Sequence, residues 1–184
     1  MKWKTTISTN LMKITSFKIK ASCASLWRLF NLFLVLPGIL VVLSACDPGL
    51  VFEKNETVNA NAWKPEEPVT IDFNIDDTIS PVNLYVNIRH NTNYDKSNLY
   101  LFVSTLYPNQ FTTVDTLEFI LAEPDGKWIG SGFGKIRSLQ IPIARGVRFP
   151  LSGEYQMRFE QAMRTDELAG IEDIGLRIEK MQDN

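Results

Sequence analysis

The sequence predicts a mainly β fold: an antiparallel β-sandwich of the jelly-roll kind, with one short helical segment near residues 161–170. Two observations lead to this prediction. Apolar and polar residues alternate in at least four segments, which is the period of a strand buried on one face. Roughly eight such segments follow one another at spacings of about 8–15 residues, with turn-forming residues between them, as in sandwiches and barrels.

The clearest strands lie in the first half of this pattern. Residues 69–75 and 82–89 alternate apolar and polar side chains, so each predicts a strand with one buried face. Residues 99–106 are apolar on both faces, which predicts a central strand. Residues 117–121 alternate again and predict a further strand.

The second half adds a turn, four more strands and the one helical segment. Pro-Asp-Gly-Lys at 124–127 places a glycine where a positive φ is needed, and so predicts a hairpin joining two strands. The segment 161–170 is rich in helix formers and ends at a glycine, which predicts one or two helical turns. The later strands are predicted at 139–143, 147–149, 155–159 and 174–178.

A glycine-rich run, Gly130-Ser-Gly132-Phe-Gly134, follows the predicted turn at 124–127. It does not lead from a strand into a helix, and it lacks the Lys-Ser/Thr ending of a phosphate-binding loop. We therefore interpret it as a glycine-bent strand, with Trp128 and Phe133 packed against it, rather than as a nucleotide site.

Residues 1–45 are predicted to be a lipoprotein signal peptide. They hold six basic residues and no acidic one, and they end in a 15-residue apolar run interrupted by Pro37-Gly38. Such a run covers about 22 Å as a helix, less than the ~30 Å of a bilayer core, which favours a cleaved signal over a permanent span. Leu43-Ser44-Ala45-Cys46 closes the run like a bacterial lipobox, so Cys46 is predicted to carry the lipid. A second start at Met12 remains open.

Beyond the signal, residues 46–68 are predicted to form a lipidated tether and residues 69–184 a single β-sandwich domain. The first segment is dominated by turn formers and polar residues with little periodicity. Val51-Phe52 and Trp63 are the apolar exceptions, positioned to dock onto the domain. Because Cys46 carries the lipid and Cys23 lies in the leader, no disulfide is expected, and a chain of this size needs none.

Charge argues against nucleic acid as a partner. The chain holds 19 basic and 21 acidic residues, a net charge of −2. Because six of the basic residues lie in the leader, the remainder is acidic, with 13 basic and 21 acidic residues. An acidic surface repels a phosphate backbone, whose binding needs clustered Lys and Arg.

The residue types that usually carry out catalysis are scarce. His90 is the only histidine, and beside Arg89 and Asn91 at a strand end it is expected to be a solvated loop residue. A zinc site needs several His or Cys ligands. We therefore expect no catalytic residue, no metal ligand, no cofactor and no small-molecule substrate, while calcium binding stays open. Two sets of acidic residues could bind calcium, although neither matches the 12-residue calcium-binding loop. They are Asp72, Asp76 and Asp77, and Asp166, Glu167, Glu172 and Asp173.

The chain resembles the GldH family of gliding-motility lipoproteins found in Bacteroidetes, over nearly all of the sequence after the lipobox. Many short pieces in a fixed order make the resemblance specific. They are Cys46-Asp47, Trp63 followed by Ile71-Asp-Phe73, Ile88-Arg-His90 with Tyr94 and Asn98-Leu99, Asp115-Thr-Leu-Glu118, residues 125–132, Gly153-Glu-Tyr155, residues 161–164, residues 168–171 and residues 173–179.

The resemblance implies a non-enzymatic accessory component of the gliding machinery, which is linked to type IX secretion. Its expected partners are the membrane, reached through the lipid anchor, and other gliding-motility envelope proteins. Its expected location is the cell envelope, at the outer rather than the inner membrane. The candidate docking residues are Trp128, Arg164 and Leu168, the last two lying one turn apart if 161–170 is a helix.

A glycan- or ligand-binding envelope lipoprotein with a β-sandwich binding module is the alternative. An exposed face of aromatic side chains would serve it by stacking on sugars, although aromatics in such a chain are also ordinary core residues. The aromatics in question are Trp63, Tyr85, Tyr94, Tyr100, Tyr107 and Trp128.

Overall fold

A computed structural model describes residues 49–181 of the 184-residue chain. The predicted signal peptide and Cys46 lie outside these described residues. Eight strands and no helix are found between Gly49 and Met181. The strands are β1 (Leu50–Thr57), β2 (Val69–Ile75), β3 (Val82–Asn91), β4 (Asn98–Leu106), β5 (Thr112–Ile120), β6 (Ile136–Val147), β7 (Gly153–Gln161) and β8 (Ile171–Lys180).

The strands form two four-stranded antiparallel sheets, in the orders β1-β8-β3-β6 and β2-β7-β4-β5. This crossing of eight strands between two sheets is the order of a jelly roll. The prediction of a mainly β, antiparallel sandwich is therefore confirmed.

The core lies between the inner faces of the two sheets. Strand β2 alternates strictly between buried and exposed residues, and the apolar positions of β3 are buried in the same way. Central strand β8 contributes Ile174, Leu176 and Ile178, all with 0% exposure. Burying each such side chain stabilises the fold by about 1.5–3 kcal/mol, so the alternation seen in the sequence sets which face points inward.

The sandwich starts at Leu50, inside the segment that the sequence predicted to be a tether. Strand β1 pairs with β8 from Leu50 to Thr57 as an edge strand. Phe52 packs against the core, with its ring centroid 5.6 Å from that of Phe73, whereas Val51 remains 41% exposed. Trp63 is 1% exposed, and its Nε1 donates to the Glu67 carbonyl at 2.8 Å. Docking was thus correctly predicted for Phe52 and Trp63, but Val51 stays at the surface.

The predicted helix at 161–170 is wrong. Gln161 is the last residue of β7, and residues 162–170 form bends and a single bridge before β8 begins. The separate strands predicted at 139–143 and 147–149 also differ from the structure, where β6 runs without interruption from Ile136 to Val147.

The two ends of the sandwich have different loops. At the end where β1 begins, the connections are short, at 76–81, 107–111 and 148–152; we call it the short-loop end. The opposite end, the long-loop end, has the connections 58–68, 92–97, 121–135 and 162–170. All three candidate docking residues lie at the long-loop end.

Candidate docking surface at the long-loop end

Two of the long loops hold each other through their backbones. The Trp63 N–H donates to the Leu168 carbonyl and the Leu168 N–H donates to the Trp63 carbonyl, both at 2.9 Å. The Gly170 N–H donates to the Ala60 carbonyl at 2.7 Å. Leu168 is 2% exposed and belongs to the core, so its side chain is not part of the exposed surface at this end.

The turn that follows β7 is held by the buried side chain of Gln161. Its Oε1 accepts the Met163 N–H and its Nε2 donates to the Thr165 carbonyl, both at 2.9 Å. These two hydrogen bonds replace those of a helical turn, which explains why helix formers here do not form a helix. They leave the Arg164 side chain exposed.

Arg164 lies on a groove between this turn and β4, which we call the Arg164 groove. The other residues lining it include Lys96, Tyr100, Met163 and Thr165. The Tyr100 N–H donates to the sulfur of Met163 at 3.2 Å, and Tyr100 remains 36% exposed. The groove therefore combines two cations with an aromatic ring and a thioether.

His90 occupies the core side of this end, contrary to the prediction of a solvated residue. It is 0% exposed, and its ring centroid lies 4.6 Å from that of Trp128. Nδ1 donates to the Asn91 carbonyl at 3.1 Å, while Nε2 is buried without a hydrogen-bond partner among the described residues. Burial, followed by the charge of Arg137, holds the pKa of His90 below its ordinary value, against the opposing effect of the Asn91 carbonyl.

This arrangement predicts an acid-sensitive fold. Protonation of His90 would place a charge at Nε2, which has no partner among the described residues of the folded protein. The free energy of unfolding is therefore highest above ~6.5, the pKa of histidine in the unfolded chain, and falls as the pH drops below that value. The melting temperature of the wild type is expected to decline between about pH 7 and pH 5, and that of His90→Phe to decline less. Parallel declines for both proteins in differential scanning calorimetry would refute this role of His90.

In the loop at 121–135, the turn predicted from the sequence is present, but the hairpin predicted with it is not. Residues 124–126 form the predicted turn, with Gly126 at φ +85° and the Glu123 N–H donating to the Lys127 carbonyl at 2.8 Å. The predicted hairpin of two strands is wrong, since the turn joins only the single bridge Ala122–Trp128. Trp128 is half-buried against His90, so only part of its surface can take part in docking.

Phe133 is the most exposed of the large apolar side chains in the described chain. It was predicted to pack against the glycine-bent strand, but it is 98% exposed. Its backbone is nevertheless constrained: Gly132 and Gly134 have φ +155° and +63°, and a Cβ on Gly132 would lie 2.3 Å from the Ile136 carbonyl oxygen. The fold therefore holds an unpacked aromatic side chain in solvent on a fixed loop.

Acidic side chains near this end serve structural partners. Asp173 pairs with Arg89 and accepts a hydrogen bond from Thr57 Oγ1 at 2.9 Å, and Glu172 accepts one from Asn91 Nδ2 at 2.7 Å. Within residues 49–181, no three His, Cys, Asp or Glu side chains are grouped so that they could hold a metal ion. The same part of the chain contains no helix that is long and apolar enough to cross a membrane.

Comparison with known proteins adds an independent finding. Residues 50–178 match the family described as "GldH lipoprotein". A protein from Flavobacterium johnsoniae named "Gliding motility lipoprotein GldH" is 37% identical over 147 residues, covering 76% of this chain and 91% of its own length. A "Gliding motility lipoprotein GldH homolog" from Christiangramia forsetii is 33% identical over 158 residues, covering 82% and 96%.

Solved structures that align with this chain include distant ones. A family GH115 4-O-methyl-alpha-glucuronidase aligns at 14% identity with a TM-score of 0.32, covering 74% of this chain and 18% of its own. A likeness this weak supports no conclusion about fold or function.

Proposed function

Because this chain belongs to the GldH lipoprotein family, we propose that it is a lipid-anchored, non-enzymatic accessory component of the gliding-motility machinery. In this proposal Cys46 carries the lipid, the membrane is the outer rather than the inner one, and the domain docks onto other envelope proteins of the machinery. The link to type IX secretion, which the family resemblance implies, belongs to the same proposal.

The observation that carries the docking proposal is the exposure of Phe133. A phenylalanine left 98% in water on a constrained loop forgoes about 1.5–3 kcal/mol that burial would supply. Aromatic anchors that fill a pocket on the partner dominate the energetics of many protein interfaces. Phe133 is therefore a candidate anchor for a partner protein.

The Arg164 groove supplies the polar counterpart at the same end of the sandwich. Arg, Tyr and Met are enriched at protein interfaces, and Arg164, Tyr100 and Met163 occur here together. Of the candidate docking residues taken from the sequence, Arg164 and the exposed part of Trp128 remain, and Phe133 replaces Leu168.

Glycan binding, the alternative function, is less well supported. The surface considered for it is the outer face of the sheet β1-β8-β3-β6. Polar side chains on this face are hydrogen-bonded to each other: Asn87 Nδ2 donates to Glu53 Oε1 at 2.8 Å and to Asn55 Oδ1 at 3.0 Å. A sugar would have to break these hydrogen bonds before making its own. Docking of a protein at the long-loop end needs no such exchange.

Strains carrying Phe133→Ser or Arg164→Glu are expected to lose colony spreading, because loss of the anchor weakens binding by about 10- to 100-fold. Both side chains are exposed, so protein levels and melting temperatures should stay at wild-type values.

The matched controls are Phe133→Leu, which keeps an apolar anchor, and Asp115→Lys, which reverses an exposed charge in the middle of β5, away from both ends of the sandwich. Both should spread normally. Normal spreading of the Phe133→Ser and Arg164→Glu strains at wild-type protein levels would overturn the proposal.

A further inference from the structure

We propose that the short-loop end of the sandwich rests on the lipid surface that holds the anchor, with Ile79 and Phe111 inserted into its interfacial layer. This inference rests on the proposed lipidation of Cys46. It assigns the two ends of the domain different partners: lipid at the short-loop end and protein at the long-loop end.

The length of chain between the anchor and the sheet is the first reason. Only residues 47–49 separate Cys46 from Leu50, where β1 begins. The four Cα–Cα steps from Cys46 to Leu50 span at most about 14 Å even when fully extended. Because β1 enters the sheet at the short-loop end, that end is kept within this distance of the lipid surface.

Exposed apolar side chains at the same end are the second reason. Ile79, in the loop 76–81, is 81% exposed, and Phe111, in the loop 107–111, is 60% exposed. Isolated exposed apolar residues are normal at protein surfaces, but here they accompany others at one end. The others are Leu50, Val51, Val147, Leu151 and Met181, each between 36% and 46% exposed.

Hydrogen bonds hold Ile79 in its exposed position. Asp77 Oδ1 accepts the backbone N–H groups of Ile79 and Ser80, both at 2.9 Å. Arg148 Nε donates to the Ile79 carbonyl at 2.8 Å from the neighbouring loop. Ile79 therefore projects from a loop fixed on both sides, and its exposure is built into the fold.

Phe111 is held in a similar way. The Tyr107 N–H donates to the Phe111 carbonyl at 2.8 Å, and Asn109 Oδ1 accepts the Phe111 N–H at 3.2 Å. Gln110 has φ +66°, the one positive φ outside glycine in the described chain. A non-glycine residue in this region is uncommon, so the turn is strongly specified.

The charges at this end indicate how the lipid is contacted. Basic and acidic groups are mixed rather than segregated, so attraction to anionic headgroups does not provide the binding. The contact is therefore made by apolar side chains inserted beside the anchor. Interfacial segments bind in the same way, by burying their apolar face at the headgroup boundary. The charged groups are Arg145, Arg148, Lys180, Asp76, Asp77, Glu154 and Glu179.

The test uses the mature lipidated protein, from which the leader has been cleaved, in vesicles of phosphatidylethanolamine and phosphatidylglycerol. With Cys46 acylated and Cys23 in the leader, a single introduced cysteine can be labelled with a polarity-sensitive fluorophore. Gln110→Cys places the label at the short-loop end beside the intact Phe111, and Lys127→Cys places it at the long-loop end. Quenching by nitroxide-labelled lipid then reports contact with the bilayer.

We expect strong quenching at position 110 and none at 127, and a several-fold reduction at 110 when Ile79→Ser and Phe111→Ser are added. Co-flotation with vesicles should persist in every variant. Quenching at 110 no greater than at 127, or unaffected by the two serines, would overturn the inference while leaving the anchor intact. Failure of the wild type to co-float, or labelling by a palmitate analogue that persists in Cys46→Ser, would instead overturn the proposed anchor, and the inference with it.

Discussion

A chain shortened to begin at Val69 is expected to lose its cooperative unfolding transition, whereas a chain that begins at Asp47 keeps it. The shorter chain lacks β1, so β8 would become an edge strand, and it lacks Trp63, which fills the core at 1% exposure. Removing a buried tryptophan side chain alone costs about 3–5 kcal/mol, against a total stability of about 5–15 kcal/mol for a typical domain. This differs from the sequence-based expectation that residues 46–68 are a tether and residues 69–184 make up the domain.

Urea unfolding followed by near-ultraviolet circular dichroism checks this prediction. Within the longer chain, Trp63→Ala should lower the free energy of unfolding by about 3–5 kcal/mol. Val51→Ala, at a 41% exposed position of β1, should change it by less than about 0.5 kcal/mol. Equal unfolding midpoints for the chains starting at Val69 and at Asp47 would show that the N-terminal strand is dispensable.

Gly170→Ala is expected to destabilise the fold by about 3 kcal/mol or more, the second largest effect. Gly170 has φ +94°, and an added Cβ would lie 2.7 Å from the Tyr94 Cα and 2.9 Å from its backbone nitrogen. The backbone cannot move away easily, because the Gly170 N–H donates to Ala60 and the Gly170 carbonyl accepts from Asn91. Strain of this kind belongs to the few mechanisms that give large effects.

The control is Gly126→Ala, at φ +85° but with no atom within 4 Å of an added Cβ. It introduces the same backbone strain without the steric conflict, so it should cost only about 1 kcal/mol. The difference between the two variants in thermal unfolding therefore measures the close approach of loop 162–170 to Tyr94. Equal costs would indicate that the Tyr94 segment yields freely.

Much of the sandwich could be predicted from periodicity, because burial of one sheet face imposes a period of two. Strands β2 and β3 follow this period along most of their length, with their apolar residues buried. Strand β1 escaped prediction because it is an edge strand, whose Lys54 and Glu56 occupy alternating positions that a half-buried strand would fill with apolar residues. Residues 99–106 were predicted to be a central strand, which is correct, but Tyr100 and Phe102 face solvent.

The failures at the long-loop end have a different origin, since they depend on contacts between distant segments. The turn after β7 is determined by the side chain of Gln161, which competes with a helix that local propensity favours. His90 is buried because Trp128, from another loop, covers it. The exposure of Phe133 had one signal in the sequence, its two flanking glycines, which also fitted the packed strand that was predicted.

The most direct test of the docking account is site-specific photo-crosslinking in intact cells from position 133, compared with position 145 on β6. A photoreactive phenylalanine analogue at 133 keeps the aromatic anchor, so spreading should be preserved. Docking at the long-loop end predicts a discrete protein adduct from 133 that is absent from 145 and lost when Arg164→Glu is added. Spreading cells that yield no adduct from 133, or the same adducts from both positions, would contradict the claim that the long-loop end docks a partner.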